Sequence, residues 1–360
     1  MSVGANDTVV LSWLDSEDHE VVLRYAELTP GGWTPPRKVA SGDDWFVNWA
    51  DFPSVVRLSE DRWAAHWLRS QPAGGYAYDV WVALSSDGGA HWSEGVKPHR
   101  DGTATEHGFV SLNARGDDLN VIWLDGRDMA QAPETGAMAL RSATIGDDMQ
   151  LGREQVVDEL VCDCCQTDSV QTTDGMVVAY RDRSAMEIRD ISVVRLTNAT
   201  WSAPLTVSRD GWHIAGCPVN GPAIDVNGDE LVVAWYTQID ERPTVRLARS
   251  LDFGRSFLPA IDIDDGAPLG RVGVTVLTDG TAVVSWLRSV SGSTTMSLRM
   301  VDTQGNLGDV YDLAEVSATR ATGFPQLVSI GDALIVAWTD AQGRSSQVRS
   351  ARLPVSALLD

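Results

Sequence analysis

The stretch that decides the fold is LVVAWYT, residues 231–237, in which apolar and β-branched residues lead to an aromatic residue. Six other runs have the same form, and the seven aromatic positions are separated by 54, 56, 57, 55, 51 and 52 residues. Such a regular period, built from short strands, indicates a β-propeller in which each repeat is one blade. The seven aromatic residues are Trp13, Trp67, Trp123, Tyr180, Trp235, Trp286 and Trp338.

Turn signals divide each repeat into strands. Asp-Gly or Gly-Asp pairs precede four of the runs, at 174–175, 228–229, 279–280 and 331–332, and such pairs favour hairpins. We therefore predict an all-β fold, a single β-propeller domain over residues 1–360 with seven four-stranded antiparallel blades. Six blades are the alternative. The first repeat has few residues ahead of its run, so its innermost strand is expected to be short or to come from the C-terminal tail.

The composition excludes several classes of function. The formal charge of −22, from 28 basic and 50 acidic residues, argues against binding of nucleic acid. No apolar run reaches the ~18 residues of a membrane span. The first residues, MSVGANDTVV, lack the basic and apolar segments of a signal peptide. Four cysteines in 360 residues are too few for a disulfide scaffold, and their clustering suggests one local site.

One motif occurs twice at equivalent places, between the third and fourth strands of a repeat. Residues 85–92 read SSDGGAHW and residues 250–257 read SLDFGRSF, so both fit Ser-x-Asp-x-Gly-x-x-aromatic. The aspartate accepts backbone hydrogen bonds, the glycine adopts a positive φ, and the aromatic ring fills the gap between strands. The motif therefore predicts a structural turn, and Asp87 and Asp252 are not catalytic candidates.

Connectivity predicts which residues share one edge of the blades. In an up-and-down blade, the second strand ends where the third begins, and the crossing to the next blade starts at the same edge. The residues after each aromatic therefore share a rim with the crossings, and ligand sites are concave places of this kind. The fourth repeat is the most charged there, reading YRDRSAMEIRD at 180–190, although an ion-pair network is the alternative explanation. The predicted catalytic residues are Tyr180, Arg181, Asp182, Arg189, Asp190, Glu106, Asp125 and Arg127, with His107 and Asp128 nearby.

The cysteines lie in two crossings, VCDCCQT at 161–167 and GWHIAGCPVNG at 211–221, and are expected to form one local cluster. One interpretation is a disulfide from Cys217 to one of the other three, which leaves two thiols reduced. The second is a thiolate site for copper or zinc, with His213 or His107 as an added ligand. A catalytic thiol is the third. The predicted metal ligands are Cys162, Cys164, Cys165, Cys217 and His213.

The two turn motifs, known as Asp-boxes or BNR repeats, and the blade period resemble the sialidase (neuraminidase) superfamily over nearly the whole chain. The segments CDCCQT, YRDRS and GCPVNGP are similar to those of a bacterial sialidase-like group. The resemblance implies an exo-acting glycoside hydrolase on an acidic sugar, with an arginine triad, a Tyr nucleophile paired with Glu, and an Asp acid/base. Glu106 with Tyr180 or Tyr236 is the implied Tyr/Glu pair. A bacterial periplasmic or secreted location is also implied.

The sequence departs from that family at one motif, because Phe52-Pro53 occupies the crossing where Arg-Ile-Pro is expected. The alternative function is therefore a non-catalytic propeller that binds a thiophilic metal or an extracellular ligand through the cysteine cluster. In either case the expected partner is a small molecule or glycan at the rim of the channel, and the expected state is a monomer. Arginines reach this rim at Arg69, Arg127, Arg181, Arg189, Arg271, Arg288 and Arg320.

Overall fold

The computed structural model describes residues 1–4, 8–115, 118–342 and 345–359. These residues form seven small antiparallel sheets and very little helix. The fold is a seven-bladed β-propeller, and the prediction of an all-β protein with seven blades is confirmed. The chain divides into two compact units, Met1–Asp163 and Cys164–Asp360, which are described separately below. That the whole chain acts as a single domain stays a prediction.

The first unit contains three blades. In the first blade β5 pairs with β3, in the second the order is β6-β7-β8, and in the third it is β12-β11-β10-β9. The strands are β1 (Ser2–Val3), β2 (Val9–Glu17), β3 (Glu20–Thr29), β4 (Gly32–Trp33), β5 (Arg37–Gly42), β6 (Ser54–Arg57), β7 (Trp63–Ser70), β8 (Tyr78–Ser85), β9 (His107–Arg115), β10 (Asp118–Asp125), β11 (Ala139–Ile145) and β12 (Gln155–Asp158).

The second unit contains four blades, each of which follows the chain order of its strands. The strands are β13 (Asp168–Thr172), β14 (Gly175–Arg181), β15 (Ile191–Thr197), β16 (Thr200–Trp201), β17 (Leu205–Thr206), β18 (Ala223–Asn227), β19 (Glu230–Ile239), β20 (Arg242–Ser250), β21 (Ile261–Asp264), β22 (Pro268–Val276), β23 (Ala282–Val290), β24 (Ser293–Val301), β25 (Leu307–Val316), β26 (Gln326–Ile330), β27 (Ala333–Gln342) and β28 (Ser345–Pro354). Two short 3-10 helices cover Arg320–Thr322 and Val355–Leu358.

Some repeats depart from the predicted four strands. The innermost strand of the first blade is the two-residue β1, which pairs with β2, so the short-strand expectation is confirmed. In the second blade the predicted fourth strand is reduced to one bridge between Val82 and Val96. A five-residue helix, α1 (Arg127–Gln131), follows β10 and was not predicted. Its length is too short for hydrophobic periodicity to reveal it.

In most repeats the aromatic residue is buried between neighbouring sheets. Five of the seven are buried, whereas Trp13 and Trp338 are half-buried. In the third blade, Trp123 packs with Val121 of its own strand and with Val80 and Val82 of the preceding blade. One large ring per repeat thus fills the space between neighbouring sheets, as repeat architectures require.

The two Ser-x-Asp-x-Gly turns have the same hydrogen bonds. Ser85 Oγ accepts the N–H of Gly89 at 2.9 Å and donates to Oδ1 of Asp87 at 2.9 Å. Asp87 Oδ1 also accepts the N–H of His91 at 2.9 Å, and residues 250–256 repeat all three bonds. The motif therefore closes a turn through its own side chains.

Among the described residues, no helix has the length and hydropathy of a membrane span.

Candidate functional site

Three ionisable residues of the first unit meet at one edge of its second and third blades. Asp51 lies in the crossing that precedes β6, Tyr78 is the first residue of β8, and Glu106 directly precedes β9. A backbone bridge between Tyr78 and Glu106 holds the second crossing against the start of β8. We call Asp51, Tyr78 and Glu106 the Tyr78 cluster.

The hydroxyl group of Tyr78 joins the two carboxyl groups. Its oxygen lies 2.8 Å from Oδ2 of Asp51 and 2.9 Å from Oε1 of Glu106. A tyrosine hydroxyl has one hydrogen, so it can donate to only one of them. The other contact becomes a hydrogen bond when that carboxyl group is protonated and donates to the tyrosine oxygen. The geometry therefore suits one ionised and one protonated carboxyl group, one on each side of the tyrosine hydroxyl.

Burial is the main reason that these groups hold their protons. It raises the pKa of Asp51 to about 7, although hydrogen bonds from Tyr78 and from the N–H of Phe109 act in the opposite direction. Burial, with a smaller contribution from the negative charge of Asp163, raises the pKa of Glu106 to about 7. Burial and the two carboxyl groups also raise the pKa of Tyr78 well above its usual value. Both carboxyl groups therefore titrate near neutral pH, where a general acid or base is most effective.

Close backbone approach fixes the buried part of the cluster. A Cβ atom at Gly108 would overlap Oδ2 of Asp51 and would lie 2.8 Å from the hydroxyl oxygen of Tyr78. Phe109 has a φ of 54° and donates its N–H to Oδ1 of Asp51 at 2.8 Å. The ring of Phe46 stacks on that of Tyr78, with centroids 4.0 Å apart. Asp51 and Tyr78 are thus buried and held, whereas Glu106 is only half-buried.

A second group, which we call the His107 cluster, consists of Asp101, His107, Asp125 and Arg127. His107 opens β9 and Asp125 ends β10, and the two residues face each other in the ladder. Nε2 of His107 lies 3.3 Å from Oδ1 of Asp101 and 3.8 Å from Oδ2 of Asp125. Arg127 grips Asp125 with two hydrogen bonds, from Nε at 2.8 Å and from Nη2 at 2.6 Å.

Opposite charges set the protonation of the His107 cluster. Burial alone would lower the pKa of His107, but its contact with Asp101 and the charges of Asp125 and Asp101 raise it. Burial would likewise raise the pKa of Asp125, yet hydrogen bonds from Arg127 and the charge of His107 lower it. The cluster is a network of compensated charges. The predicted residues Glu106, Asp125, Arg127 and His107 thus belong to these two clusters.

The predicted residues of the fourth repeat have different surroundings. Arg181, the last residue of β14, is 1 % exposed and donates to three main-chain carbonyl oxygens. Its Nη1 and Nη2 lie 2.6 Å from the carbonyls of Arg189 and Tyr236, and its Nε lies 2.8 Å from that of Asn220. The guanidinium group also stacks on Trp212, 4.8 Å from the ring centroid. Burial lowers the pKa of Arg181 to about 9. Because its hydrogen bonds go to carbonyl groups of three chain segments, Arg181 holds these segments together.

The neighbouring acids also bond mainly to the protein. Asp190 accepts the N–H groups of Gly211 and Trp212 at 3.1 and 3.2 Å, and burial raises its pKa. Asp182 accepts a hydrogen bond from the hydroxyl of Ser192 at 2.7 Å. Nη2 of Arg189 lies 3.0 Å from Oε2 of Glu187. Tyr180 is buried in β14. These side chains bond to backbone, hydroxyl and carboxylate groups of the protein, and the catalytic and ion-pair interpretations of residues 180–190 both stay predictions.

All four cysteines are disulfide-bonded. In the second unit Cys164 is bonded to Cys217, and their Cα atoms are 6.0 Å apart. Cys162 and Cys165 are buried and disulfide-bonded as well, so the expectation that two thiols stay reduced is wrong. Metal binding needs the thiolate, which an oxidised cysteine does not offer. His213 is exposed.

Sequence reasoning missed Asp51, Tyr78 and Asp101. Its pairing of Glu106 with Tyr180 or Tyr236 stays a prediction, and it did not foresee the bond to Tyr78. The hydrogen-bond partner of Glu106 is Tyr78, because the third strand of the second blade begins beside the crossing that carries Glu106. The signal was present in the connectivity, which puts the starts of third strands on the same rim as the crossings. Asp163, whose charge reaches Glu106, lies between the cysteines of the CDCC segment.

No family model and no curated protein sequence matches the chain. Solved structures do match over most of its length. An α-L-arabinanase of Penicillium chrysogenum, complexed with arabinobiose, has a TM-score of 0.56 at 12% identity and covers 88% of this chain and 96% of its own. An α-L-arabinofuranosidase of family GH93 from Fusarium graminearum has a TM-score of 0.53 at 13% identity, with coverages of 99% and 92%.

A sialidase is similar to the same extent. The Trypanosoma rangeli sialidase in complex with sialic acid has a TM-score of 0.55 at 10% identity and covers 96% of this chain and 58% of its own. Identities this low concern the fold alone. The structural neighbours are therefore glycoside hydrolases built as propellers, and the chemistry of this chain must be argued from its own residues.

Proposed function

We propose that the protein is a glycoside hydrolase and that Glu106 is its general acid. The observation that carries this proposal is the position of Glu106, half-buried, with a pKa near 7 and a hydrogen bond to Tyr78. A carboxyl group that is protonated at neutral pH can donate a proton to the oxygen of a leaving sugar. The similar structures of glycoside hydrolases support the same class of reaction.

The three carboxyl groups near this point take different roles in the proposal. Glu106 is the member of the Tyr78 cluster that solvent reaches, so it contacts the substrate. Asp51 and Tyr78 are buried and act as positioning residues, because they set the proton affinity of Glu106. Asp163 supplies the negative charge that helps raise the pKa of Glu106, and it is our candidate for the base or nucleophile. A protonated and an ionised carboxyl group are the pair that glycoside hydrolysis needs.

The charges of the first unit favour a neutral glycan as substrate. A sialidase-like enzyme on an acidic sugar needs arginines that grip the substrate carboxylate. Arg69 makes hydrogen bonds to Asp44 at 2.6 to 3.1 Å, and Arg127 is bonded to Asp125 and Glu154. Two of the similar structures are complexes with arabinobiose, a neutral sugar. We therefore propose arabinosides as the first candidate substrates, and exo-acting cleavage of an acidic sugar is the alternative activity.

A panel of substrates tests this proposal. Wild-type protein is incubated with a chromogenic α-L-arabinofuranoside, arabinan oligosaccharides and a fluorogenic sialoside. The Glu106→Gln variant is expected to lower kcat by about 10²- to 10⁴-fold, as loss of a general acid does. Glu134→Gln, the same change at an exposed position, should leave kcat unchanged. Absence of turnover with every substrate, or full activity of Glu106→Gln, overturns the proposal, and turnover of the sialoside alone assigns the acidic-sugar form.

The pH profile separates proton donation from a structural role. Because the hydrogen bond from Tyr78 lowers the pKa of Glu106, Tyr78→Phe should raise it. A general acid works in its protonated form, so activity is lost as pH rises through its pKa. The basic limb of kcat/KM in Tyr78→Phe is therefore expected at higher pH than in wild type. An unmoved limb contradicts the assignment of Glu106 as the acid.

The disulfides support a location in an oxidising compartment, such as the periplasm or the exterior of a bacterium. Binding of copper or zinc by Cys162, Cys164, Cys165 and Cys217 stays a prediction for the reduced protein. Metal analysis after reduction, compared with the oxidised protein, tests it. Equal metal content in the two samples would contradict the cysteine site.

A further inference from the structure

The His107 cluster contains an unsatisfied buried nitrogen. The Nδ1 atom of His107 lies 3.2 Å from the carbonyl oxygen of Tyr78, and a carbonyl only accepts hydrogen bonds, so Nδ1 carries the hydrogen. In the neutral ring Nε2 therefore presents a lone pair. His107 is fully buried, and its Nε2 makes no hydrogen bond. A buried polar atom without a partner costs free energy, so its surroundings call for an explanation.

Two carboxylates face this lone pair. Oδ1 of Asp101 lies 3.3 Å from Nε2 of His107, and Oδ2 of Asp125 lies 3.8 Å from it. The ligand atoms of Asp101, His107 and Asp125 all lie within 4.8 Å of one another. Three acceptors that point at one place repel one another unless a cation lies between them. Arg127 supplies one such cation, since its Nη2 lies 2.6 Å from Oδ2 of Asp125 and 3.3 Å from Oδ1 of Asp101. A proton on Nε2 or a metal ion would be a second.

Each of the three side chains is held by further contacts, as metal ligands usually are, and two of these contacts reach the same carboxylate oxygens that face Nε2. The Nδ1–H of His107 donates to a backbone carbonyl. Nδ1 of His99 lies 3.2 Å from Oδ1 of Asp101, and the N–H of Thr103 donates to Oδ2 of Asp101 at 2.9 Å. Asp125 accepts hydrogen bonds from Nε1 of Trp123 at 2.7 Å and from the N–H of Arg127 at 3.1 Å. These contacts fix the ligand atoms before any ion arrives.

A second buried histidine of the same unit shows what the carboxylates contribute. His66 is as buried as His107, its Nδ1 pairs with the hydroxyl of Ser54 at 2.9 Å, and its Nε2 also makes no hydrogen bond. Burial lowers the pKa of His66 to about 3, and no carboxylate offsets that effect. Nε2 of His107 instead faces the carboxylates of Asp101 and Asp125, at 3.3 and 3.8 Å. The two sites therefore differ in their affinity for cations rather than in their burial.

We propose that Asp101, His107 and Asp125 bind one divalent transition-metal ion. One imidazole nitrogen with two carboxylate oxygens suits zinc, manganese or iron(II). The ion would take the place of the proton on Nε2. Arg127 is the competing cation, since its Nη2 lies 3.3 Å from Oδ1 of Asp101, and it keeps its partner Glu154 when an ion binds. The neighbouring set of Asp79, His99 and His107 is less suitable, because it requires the Nδ1 atom that already donates to Tyr78.

The test uses the full chain and does not depend on hydrolase activity. Protein stripped with a chelator is mixed with Zn²⁺, Mn²⁺ or Co²⁺, and the bound metal is counted after gel filtration. About one ion per chain is expected, together with a Co²⁺ absorption band typical of nitrogen and oxygen ligands. His107→Gln should weaken binding by at least ~10-fold. His66→Gln, the buried histidine without facing carboxylates, should bind as wild type does.

A measurement on wild type alone covers the case in which His107→Gln fails to fold. Because the metal replaces a proton on Nε2, binding below neutral pH should release about one proton per ion. Calorimetric titrations in two buffers of different ionisation enthalpy measure this number. Absence of binding by wild type overturns the proposal and leaves the proton as the cation of the site. Equal binding by His107→Gln and wild type also overturns it, because the ion then lies on exposed histidines.

Discussion

The third and the fourth blade both carry charged residues at the edge where the crossings run, but these residues have different partners. In the fourth blade Arg181 and Asp190 bond to main-chain carbonyl and N–H groups. In the second and third blades Tyr78 and His107 meet other ionisable side chains. A side chain that bonds to the backbone is occupied at every pH, whereas one that meets a titratable group can exchange a proton or bind an ion. The partners of each charge, rather than charge density, distinguish the candidate site from the fourth blade.

The largest effect should follow loss of the structural charge in the fourth blade. Replacing Arg181 by methionine removes the donor of three carbonyl oxygens, two of them in buried bonds, and each buried group left unsatisfied costs ~1 to 3 kcal/mol. We expect the free energy of unfolding to fall by ~3 to 5 kcal/mol in urea titrations. Arg183→Met is the matched control, since Arg183 pairs with Glu187 near the surface and should cost less than ~1 kcal/mol. A loss of stability in Arg181→Met as small as in Arg183→Met would contradict the structural role of Arg181.

The Tyr78 cluster should make the stability of the protein depend on pH. The folded state raises the pKa of Asp51 from 3.8 to about 7, so it binds a proton that the unfolded chain has lost. This contribution to stability is fully present below the unfolded pKa and is lost as pH rises through about 7. The loss is at most ~4 kcal/mol, because one pKa unit corresponds to ~1.4 kcal/mol.

The variant Asp51→Asn should remove that pH dependence, since the amide stays neutral at every pH. Unfolding by urea between pH 5 and pH 8 is the measurement, and wild type should lose more stability over this range than the variant. Asp61→Asn, at an exposed position, should follow wild type. Identical slopes for wild type and Asp51→Asn would mean that Asp51 does not hold a proton in the folded protein.

The smallest of these effects concerns the close approach behind the Tyr78 cluster. Gly108→Ala places a Cβ atom against Oδ2 of Asp51 and the hydroxyl of Tyr78, so the cluster must shift. Overpacking of this kind costs ~1 to 3 kcal/mol. At Gly31, where a Cβ atom meets nothing nearer than 3.7 Å, the same substitution should change stability by less than ~0.5 kcal/mol. Thermal unfolding of both variants checks the difference, and equal midpoints would show that the cluster is not tightly packed.

The sequence alone determined the architecture of the blades. The seven aromatic-ended runs and the turn pairs between them predicted seven antiparallel sheets, because strand alternation and turn chemistry are local properties. The Ser-x-Asp-x-Gly turns were also predictable, since their hydrogen bonds join residues at most four positions apart. A bond from Cys217 to one of the three clustered cysteines was one of three interpretations of the sequence, and the structure shows it with Cys164.

Only the tertiary structure decided which polar groups meet. Asp51, Tyr78 and Glu106 are 27 and 28 positions apart in the chain, and no local pattern predicts their contact. Whether a charged side chain contacts backbone or another side chain depends on how the crossings fold over the ends of the strands. Arg181 contacts a backbone carbonyl, whereas His107 contacts the side chain of Asp101. Proton affinity depends in turn on burial, a property of the packed chain. Strand patterns therefore gave the scaffold, and packing alone assigned Tyr78 and His107 to its candidate sites.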